Sequence, residues 1–354
     1  MIILRGARDS DLDSLLRFAQ IPGMFNLPDD ADTLRDRITK SKASFSATAP
    51  DLADTKYTFI AEDLETKEII ATSMIAGQHG TPESPHFYFQ VGNEKRFSET
   101  INTGFIHGTL TLQFDTDGPT EIGALVVDPE LRNHESRIGR QISFVRLLYV
   151  AGHRERFKEK IIAELLPPLN KRGLSPLWEA VGRRFTNMDY WEADQLCTKN
   201  KDFIFDLFPS GKIYTSFLPA EARNAVGKVG KETEPVFHML KKIGFEFHNQ
   251  IDPFDGGPHL WADVEKIAPI RKATPGKWGG QSADDQLEFT AGLLTIAGPR
   301  SGKEEFRAVA VEASTREGTI YVKTSSDKCH PSADAIDSAL SIDLGDPVLF
   351  MPYY

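Results

Sequence analysis

Residues 121–150 constrain this chain more than any other stretch. An apolar run from Ile122 to Val127 reads as a strand and stops at Asp128-Pro129. A polar, arginine-rich turn follows. A helix then begins, with Ile138, Ile142, Val145, Tyr149 and Gly152 recurring at three- and four-residue spacing on one face. A strand that feeds a basic loop at a helix N-terminus makes an anion site. The first turn of a helix has unpaired N–H groups, and its macrodipole adds partial positive charge. The ligand implied carries a pyrophosphate.

Local charge points the same way. Residues 131–160 contain eight Lys/Arg against three Glu, a local +5 in a chain of net charge −10. Arg132, Arg137 and Arg140 sit in or beside the loop and suit phosphate as charge-assisted donors. The overall negative charge argues against general nucleic-acid binding. No apolar run approaches the roughly 20 residues of a membrane span. The N-terminus, Met-Ile-Ile-Leu-Arg-Gly-Ala-Arg, lacks the apolar core of a signal peptide. Cys197 and Cys329 are far apart and neither has metal-ligand spacing. Two free thiols in a reduced cytoplasm, and no metal, are the expectation. The sequence leaves room for a homo-oligomer.

Along the chain, Ile2 to Arg5 reads as a strand and Leu12, Leu15, Leu16 and Ala19 as the apolar side of a helix capped by Asp9-Ser10 or Asp11. Asp32 to Ser41 reads as a helix. Tyr57–Asp63 and Glu68–Gly77 read as strands joined by a tight turn. After the basic helix come a strand at Lys160–Leu165 and a helix capped by Ser175. Helices follow at 203–208 and at 218–226, the second started by Pro219. A further helix runs from Pro235 to Gly244, and a strand covers Phe245–Asp252. Residues 268–285 hold Pro269, Pro275, Gly276, Gly279 and Gly280 and read as a linker. The expected division is 1–267, a linker over 268–285, and a small β module over 286–354 that supplies no catalytic group.

The order strand–helix–hairpin–strand–anion loop–helix–strand–helix–strand resembles the acyl-CoA N-acyltransferase (GNAT) superfamily. That implies an α+β fold with a mixed sheet flanked by helices. The superfamily's phosphate loop, Gln/Arg-x-x-Gly-x-Gly/Ala, is met at His134-Glu135-Ser136-Arg137-Ile138-Gly139, chiefly through Gly139. More specifically, Glu121–Pro129, Arg146–Arg154, Ser175–Trp178, Gly182–Phe185, Met188–Tyr190, Ile213–Leu218 and above all Ile251-Asp252-Pro253-Phe254-Asp255-Gly256-Gly257-Pro258 resemble the bacterial arginine N-succinyltransferase family. The resemblance covers about residues 1–270. It implies succinyl transfer from succinyl-CoA, or another acyl-CoA, to the α-amine of arginine or ornithine. It places a CoA-contacting position at Leu125. The family's proton-donating His falls here at Gly230, which has no side chain to donate with, and the superfamily's Tyr falls at Leu240. Two alternatives follow from that departure: a different amine or acyl donor, or a non-catalytic acyl-CoA-binding regulator.

Direct acyl transfer needs a free amine, a polarised thioester carbonyl and a proton for the departing thiolate. Leu125, Val126 and Val127 are expected to offer backbone N–H groups if their strand splays from its neighbour. Ile138 and Gly139, with the arginines, are expected to hold phosphate. Glu164 is the candidate base and His238 the candidate relocated acid. Asp252 and Asp255 are candidates for the guanidinium, although Asp-Gly-Gly is also ordinary turn chemistry. His134 is expected to donate to phosphate, and His248 and His259 carry no assigned role.

Overall fold

The computed structural model describes residues 1–21, 27–170, 172–197, 200–284, 286–297, 305–324 and 331–353. Their strands are β1 (Ile2–Gly6), β2 (Lys56–Asp63), β3 (Ile69–Ala76), β4 (His86–Ser98), β5 (Thr103–Asp115), β6 (Thr120–Val127), β7 (Lys160–Glu164), β8 (Ile213–Tyr214), β9 (Glu246–Ile251), β10 (Pro258–Asp263), β11 (Thr274–Ser282), β12 (Thr290–Ile296), β13 (Arg307–Arg316), β14 (Thr319–Lys323) and β15 (Pro347–Pro352). Three helices matter most: α1 (Leu12–Ala19), α2 (Ala31–Phe45) and α3 (Ile138–Gly152). The chain divides into two compact units. One comprises Met1–Gly77, Thr120–Glu159 and Val264–Tyr354; the other comprises Gln78–Pro119 and Lys160–Asp263. Cys329 lies outside the described residues. Among the described residues no helix is long and apolar enough to cross a membrane.

In the first unit, β13, β1, β2, β3 and β6 pair antiparallel in that order. Helix α2 begins at Asp30, whose carboxylate accepts the Thr33 N–H (2.8 Å). Leu15 and Phe18 of α1 and Leu34 and Ile38 of α2 pack with Ile60, Ile69 and Val126 of the sheet. Phe45, Tyr57, Phe59, Tyr149 and Phe306 form a second, aromatic knot with ring centroids 4.9–5.9 Å apart. The buried Arg5 guanidinium binds both oxygens of Asp11 (2.7 and 2.9 Å) and fixes the turn from β1 into α1. Asp11, one of the expected caps, stands at the N-cap position of α1, but its carboxylate accepts from Arg5 and from the Arg8 N–H rather than from the first turn of that helix.

The C-terminal part differs from the expected linker and module. Residues 268–285 contain a helical turn (Ala268–Lys272) and the whole of β11. β12, β15, β11, β14 and β13 pair in that order and β12 returns to β13, so five strands close into a small barrel. Among the described residues only the β11–β14 pair is parallel, which makes the sheet mixed. The Gly and Pro content misled because these glycines serve close approach rather than flexibility. A Cβ at Gly276 would lie 2.8 Å from the Gly318 carbonyl, and one at Gly279 would lie 2.6 Å from the Tyr321 ring. Between them Trp278 is fully buried, and its Nε1–H donates to Asp337 (2.6 Å).

The second unit is an antiparallel sheet in the order β7-β10-β9-β4-β5-β8. Its spine is the β4–β5 hairpin, paired from His86↔Asp115 to Ser98↔Thr103. The sequence reading assigned nothing to this hairpin, although Phe87, Phe89 and Val91 alternate with polar neighbours. Elsewhere the expected elements appear within a few residues of their observed ends. Ser175 Oγ accepts the Trp178 N–H (3.0 Å), and Gly244 closes its helix at φ +114°.

The barrel shares β13 with the sheet, and Ile3 of β1 packs in the same core as Trp278, Leu294, Val309 and Ile336. Each large apolar side chain so buried is worth roughly 1.5–3 kcal/mol. Truncation after Ile267 should therefore cost soluble yield and cooperative melting, because it bares the β1 edge. Circular dichroism melting of the truncated chain checks this; a native-like melt would show that residues 268–354 are dispensable for folding.

Candidate active site

In the first unit the candidate anion site is built around an irregularity in β6. Thr72 pairs with Val126 but Met74 pairs with Gly123, so β6 carries one extra residue there. Ala124 absorbs it at φ +46°, in the left-handed region. A bulge of this kind leaves a residue out of the ladder, with backbone groups available to a ligand. It falls beside Leu125–Val127, where splaying was expected. Arg146 of α3 is buried beneath it and donates to the Gly123 carbonyl (3.3 Å), the Ser143 carbonyl (3.1 Å) and Ser143 Oγ (2.8 Å). Desolvation pulls its guanidinium down to about 9. Ser73 of β3 donates to the Ile142 carbonyl (2.7 Å) and binds α3 to the sheet from the other side.

β6 ends where Asp128 accepts the Glu130 N–H (3.1 Å) and pairs with Arg17 (2.9 Å). The loop then reaches α3 through Arg137, left-handed at φ +49° and without a capping side chain of its own. The Arg137 carbonyl accepts from Arg140 (2.9 Å) and Gln141 (3.3 Å). The preceding N–H groups, on Ile138 and Gly139, are those that a helix start leaves for a ligand. Arg132 and Arg137 are exposed, and the Arg140 guanidinium stands 5.5 Å from the Tyr353 ring centre. The local positive charge is smaller than the sequence suggests. Arg146 is internal, Arg154 donates to the Phe157 and Lys158 carbonyls, and Arg156 donates to the Tyr149 hydroxyl. His134 Nδ1 accepts the Ser136 N–H (3.2 Å), so it shapes the loop rather than presenting that nitrogen as a donor.

In the second unit the polar residues gather at the ends of strands. Glu164 closes β7 and sits directly opposite His259 of β10. His86 opens β4, and His79 lies in the turn before it, where its N–H donates to the Pro119 carbonyl (2.7 Å). The three Nε2 atoms lie 3.5 Å (His79), 3.8 Å (His86) and 3.6 Å (His259) from Glu164 Oε1. The rings pack edge to face, His79 on His86 and His86 on His259. Burial, and then the neighbouring imidazoles, holds His86 well below the ordinary histidine range, so it is neutral. Sequence reading missed this group. Residues 79, 86, 164 and 259 share no local spacing, and only the sheet order brings them together.

Asp252 and Asp255 are committed to the turn between β9 and β10. Asp252 Oδ1 accepts the N–H groups of Phe254 (2.7 Å) and Asp255 (2.9 Å), and Asp255 Oδ1 accepts that of Gly257 (2.7 Å). Burial raises both carboxyls, and the Asp252 charge raises Asp255 further. The turn chemistry weighed for these aspartates is thus present, through one oxygen of each. Asp194 nearby is pushed up to about 7 by burial and by Asp252. Cys197 is pushed up to about 12 by burial, which leaves it a thiol rather than a nucleophile. His238 is exposed on the helix Glu234–Ile243, its ring against Phe237, and is poorly placed to serve as a buried acid.

Gly230 donates its N–H to the Leu166 carbonyl (2.9 Å), just beyond Glu164. A Cβ there would stand 2.9 Å from the Pro167 carbonyl oxygen, a backbone atom. Gly230→His is therefore expected to lower stability by about 1–3 kcal/mol through overpacking and not to raise turnover. Gly230→Ala should lose a similar amount, and thermal melts of the pair identify the cause as steric. At Gly139 a Cβ would meet only Val127 Cγ2 at 3.7 Å. Gly139→Ala should thus hold or raise the melting temperature, since Ala favours helix by up to about 1 kcal/mol. It should nevertheless weaken CoA roughly tenfold by blocking close approach of phosphate to the backbone. Arg137→Glu should also weaken CoA. Calorimetry decides; unchanged CoA affinity in both variants would remove the site.

The sequence profile of the arginine N-succinyltransferase beta subunit matches residues 2–269. Arginine N-succinyltransferase of Enterobacter sp. (strain 638) is 34% identical over 313 residues, covering 84% of this chain and 90% of that protein. The enzyme of the same name from Salmonella arizonae is 32% identical, covering 88% and 94%. Among solved structures, arginine/ornithine succinyltransferase subunit AI from Pseudomonas aeruginosa is 30% identical with a TM-score of 0.80, covering 100% of this chain and 99% of that one. With the family profile spanning most of its length and relatives this similar along nearly their whole chains, the protein belongs to the arginine N-succinyltransferase family, with the α+β acyltransferase fold.

Proposed function

We propose that this chain transfers a succinyl group from succinyl-CoA to the α-amine of arginine or ornithine. The observation that carries the reading is the bulged strand running into a helix N-terminus flanked by arginines, in a chain of this family. On this reading the CoA pyrophosphate lies against the N–H groups of Ile138 and Gly139, with Arg137 and Arg140 as charge-assisted donors. Arg132 supplies further positive charge at the rim. Backbone N–H groups of Leu125, Val126 and Val127 align the acyl end and polarise the thioester carbonyl. The neutral amine attacks that carbonyl carbon, the C–S bond breaks, and the proton lost by the amine balances the one taken up by the thiolate.

A positioned acid or base is typically worth about 10²–10⁴-fold in rate, and Gly230 supplies none. Orientation and backbone donors therefore carry more of the catalysis here. No observation favours the non-catalytic reading. The test offers the protein succinyl-, acetyl- and other short acyl-CoAs with arginine, ornithine and lysine and follows free thiol. Release that depends on both succinyl-CoA and arginine or ornithine is expected. Tight CoA binding with no amine-dependent thiol release for any pair would overturn the proposal.

A further inference from the structure

We propose that His79, His86 and Glu164, with His259 and Asp252 grouped on the same Glu164 carboxylate, form a binding site for one divalent transition-metal ion of the zinc class. The inference rests on the second unit alone and is independent of the acyl-transfer reading. Three imidazole Nε2 atoms lie 3.5, 3.8 and 3.6 Å from one carboxylate oxygen, Glu164 Oε1. These separations are long for N–H···O hydrogen bonds, which run about 2.7–3.2 Å. They are close to the spacing of ligands around a shared ion. Metal–ligand bonds of about 2.0–2.1 Å in a tetrahedron put neighbouring ligands about 3.3–3.4 Å apart. The ligand atoms of His79, His86 and Glu164 lie within 4.8 Å of one another, as do those of Glu164, Asp252 and His259.

A second observation is independent of those distances. His86 is 1% exposed, and neither of its ring nitrogens has a hydrogen-bond partner. Buried polar groups are ordinarily satisfied, and an imidazole facing a carboxylate across 3.8 Å gains a partner if a cation stands between them. The donor set fixes the class. Imidazole nitrogen with carboxylate oxygen suits Zn(II), Co(II) and Ni(II), whereas Mg(II) and Ca(II) take oxygen alone. Asp252 has one oxygen engaged by the Phe254 and Asp255 N–H groups. That holds its carboxylate in place, as the supporting hydrogen bonds of a metal ligand do.

The experiment uses the full chain, free of any affinity tag and stripped with a chelator, then titrated separately with Co(II), Zn(II) and Mg(II). One equivalent of Co(II) per chain should survive desalting and give the visible absorption of a low-coordinate ion. Zn(II) should displace it and Mg(II) should not. Glu164→Gln and His79→Ala should each weaken Co(II) by at least about tenfold, since even supporting residues of metal sites cost 10–100-fold. His79 is half-buried in a turn, so His79→Ala decides the matter if Glu164→Gln does not fold. A chain that retains no Co(II), or whose Co(II) affinity is unchanged in the folded variants, overturns the site. Retention of Mg(II) in place of Co(II) overturns its class.

Discussion

The extra residue in β6 is the constraint on which the proposed acyl-CoA site of the first unit depends. A regular ladder from Thr120 to Val127 would hold each β6 residue in register with β3 and keep the groups on that edge paired. The bulge at Ala124 interrupts that ladder, and Arg146 bonds the Gly123 carbonyl from inside α3. Burying a guanidinium is unfavourable unless its donors are satisfied, and here they meet the Gly123 carbonyl at the bulge and the Ser143 carbonyl and hydroxyl on α3. The helix whose N-terminus faces the proposed pyrophosphate is thereby tied to the strand proposed to align the acyl group. Ser73, bonded to the Ile142 carbonyl, makes the same connection from β3.

The second unit handles polarity differently. Its buried carboxylates and imidazoles are held by strand ends and a tight turn rather than by a helix. The Asp252–Gly257 turn uses one carboxylate oxygen of each aspartate to satisfy backbone N–H groups. The sequence offered two readings of this turn, guanidinium binding and turn chemistry, and the hydrogen bonds show the turn chemistry. His86, packed between His79 and His259, is held neutral first by its burial and then by those neighbouring imidazoles.

Glycine has two opposite meanings along this chain. At Gly230 and Gly276 it permits backbone to approach backbone, so a Cβ would meet a carbonyl oxygen. At Gly139 a Cβ would meet only Val127 Cγ2 at 3.7 Å, and the proposed phosphate would lie there. Sequence alone gives the same letter in each case. That is why 268–285 read as a linker when it holds a strand of a closed barrel.

What the sequence determined by itself was local. Apolar periodicity set α3 and β6, Asp128-Pro129 stopped the strand, Ser175 and Gly244 marked helix ends, and the motif order pointed to the family. Those signals are legible because each depends on residues within a few positions of one another. The candidate anion loop was legible for the same reason, since strand, turn and helix are contiguous. Only the tertiary structure decided the rest. Whether Arg146 lies in the anion field or under the bulge depends on which face of α3 the sheet covers. Whether Trp278 marks a linker or a core depends on strands 40 and 70 residues further along, β14 and β15, that close the barrel. The His79–His86–Glu164–His259 group exists only because pairing puts β7 beside β10 and β4 two strands away. Such contacts come from register between distant segments, and no short stretch of sequence encodes register on its own.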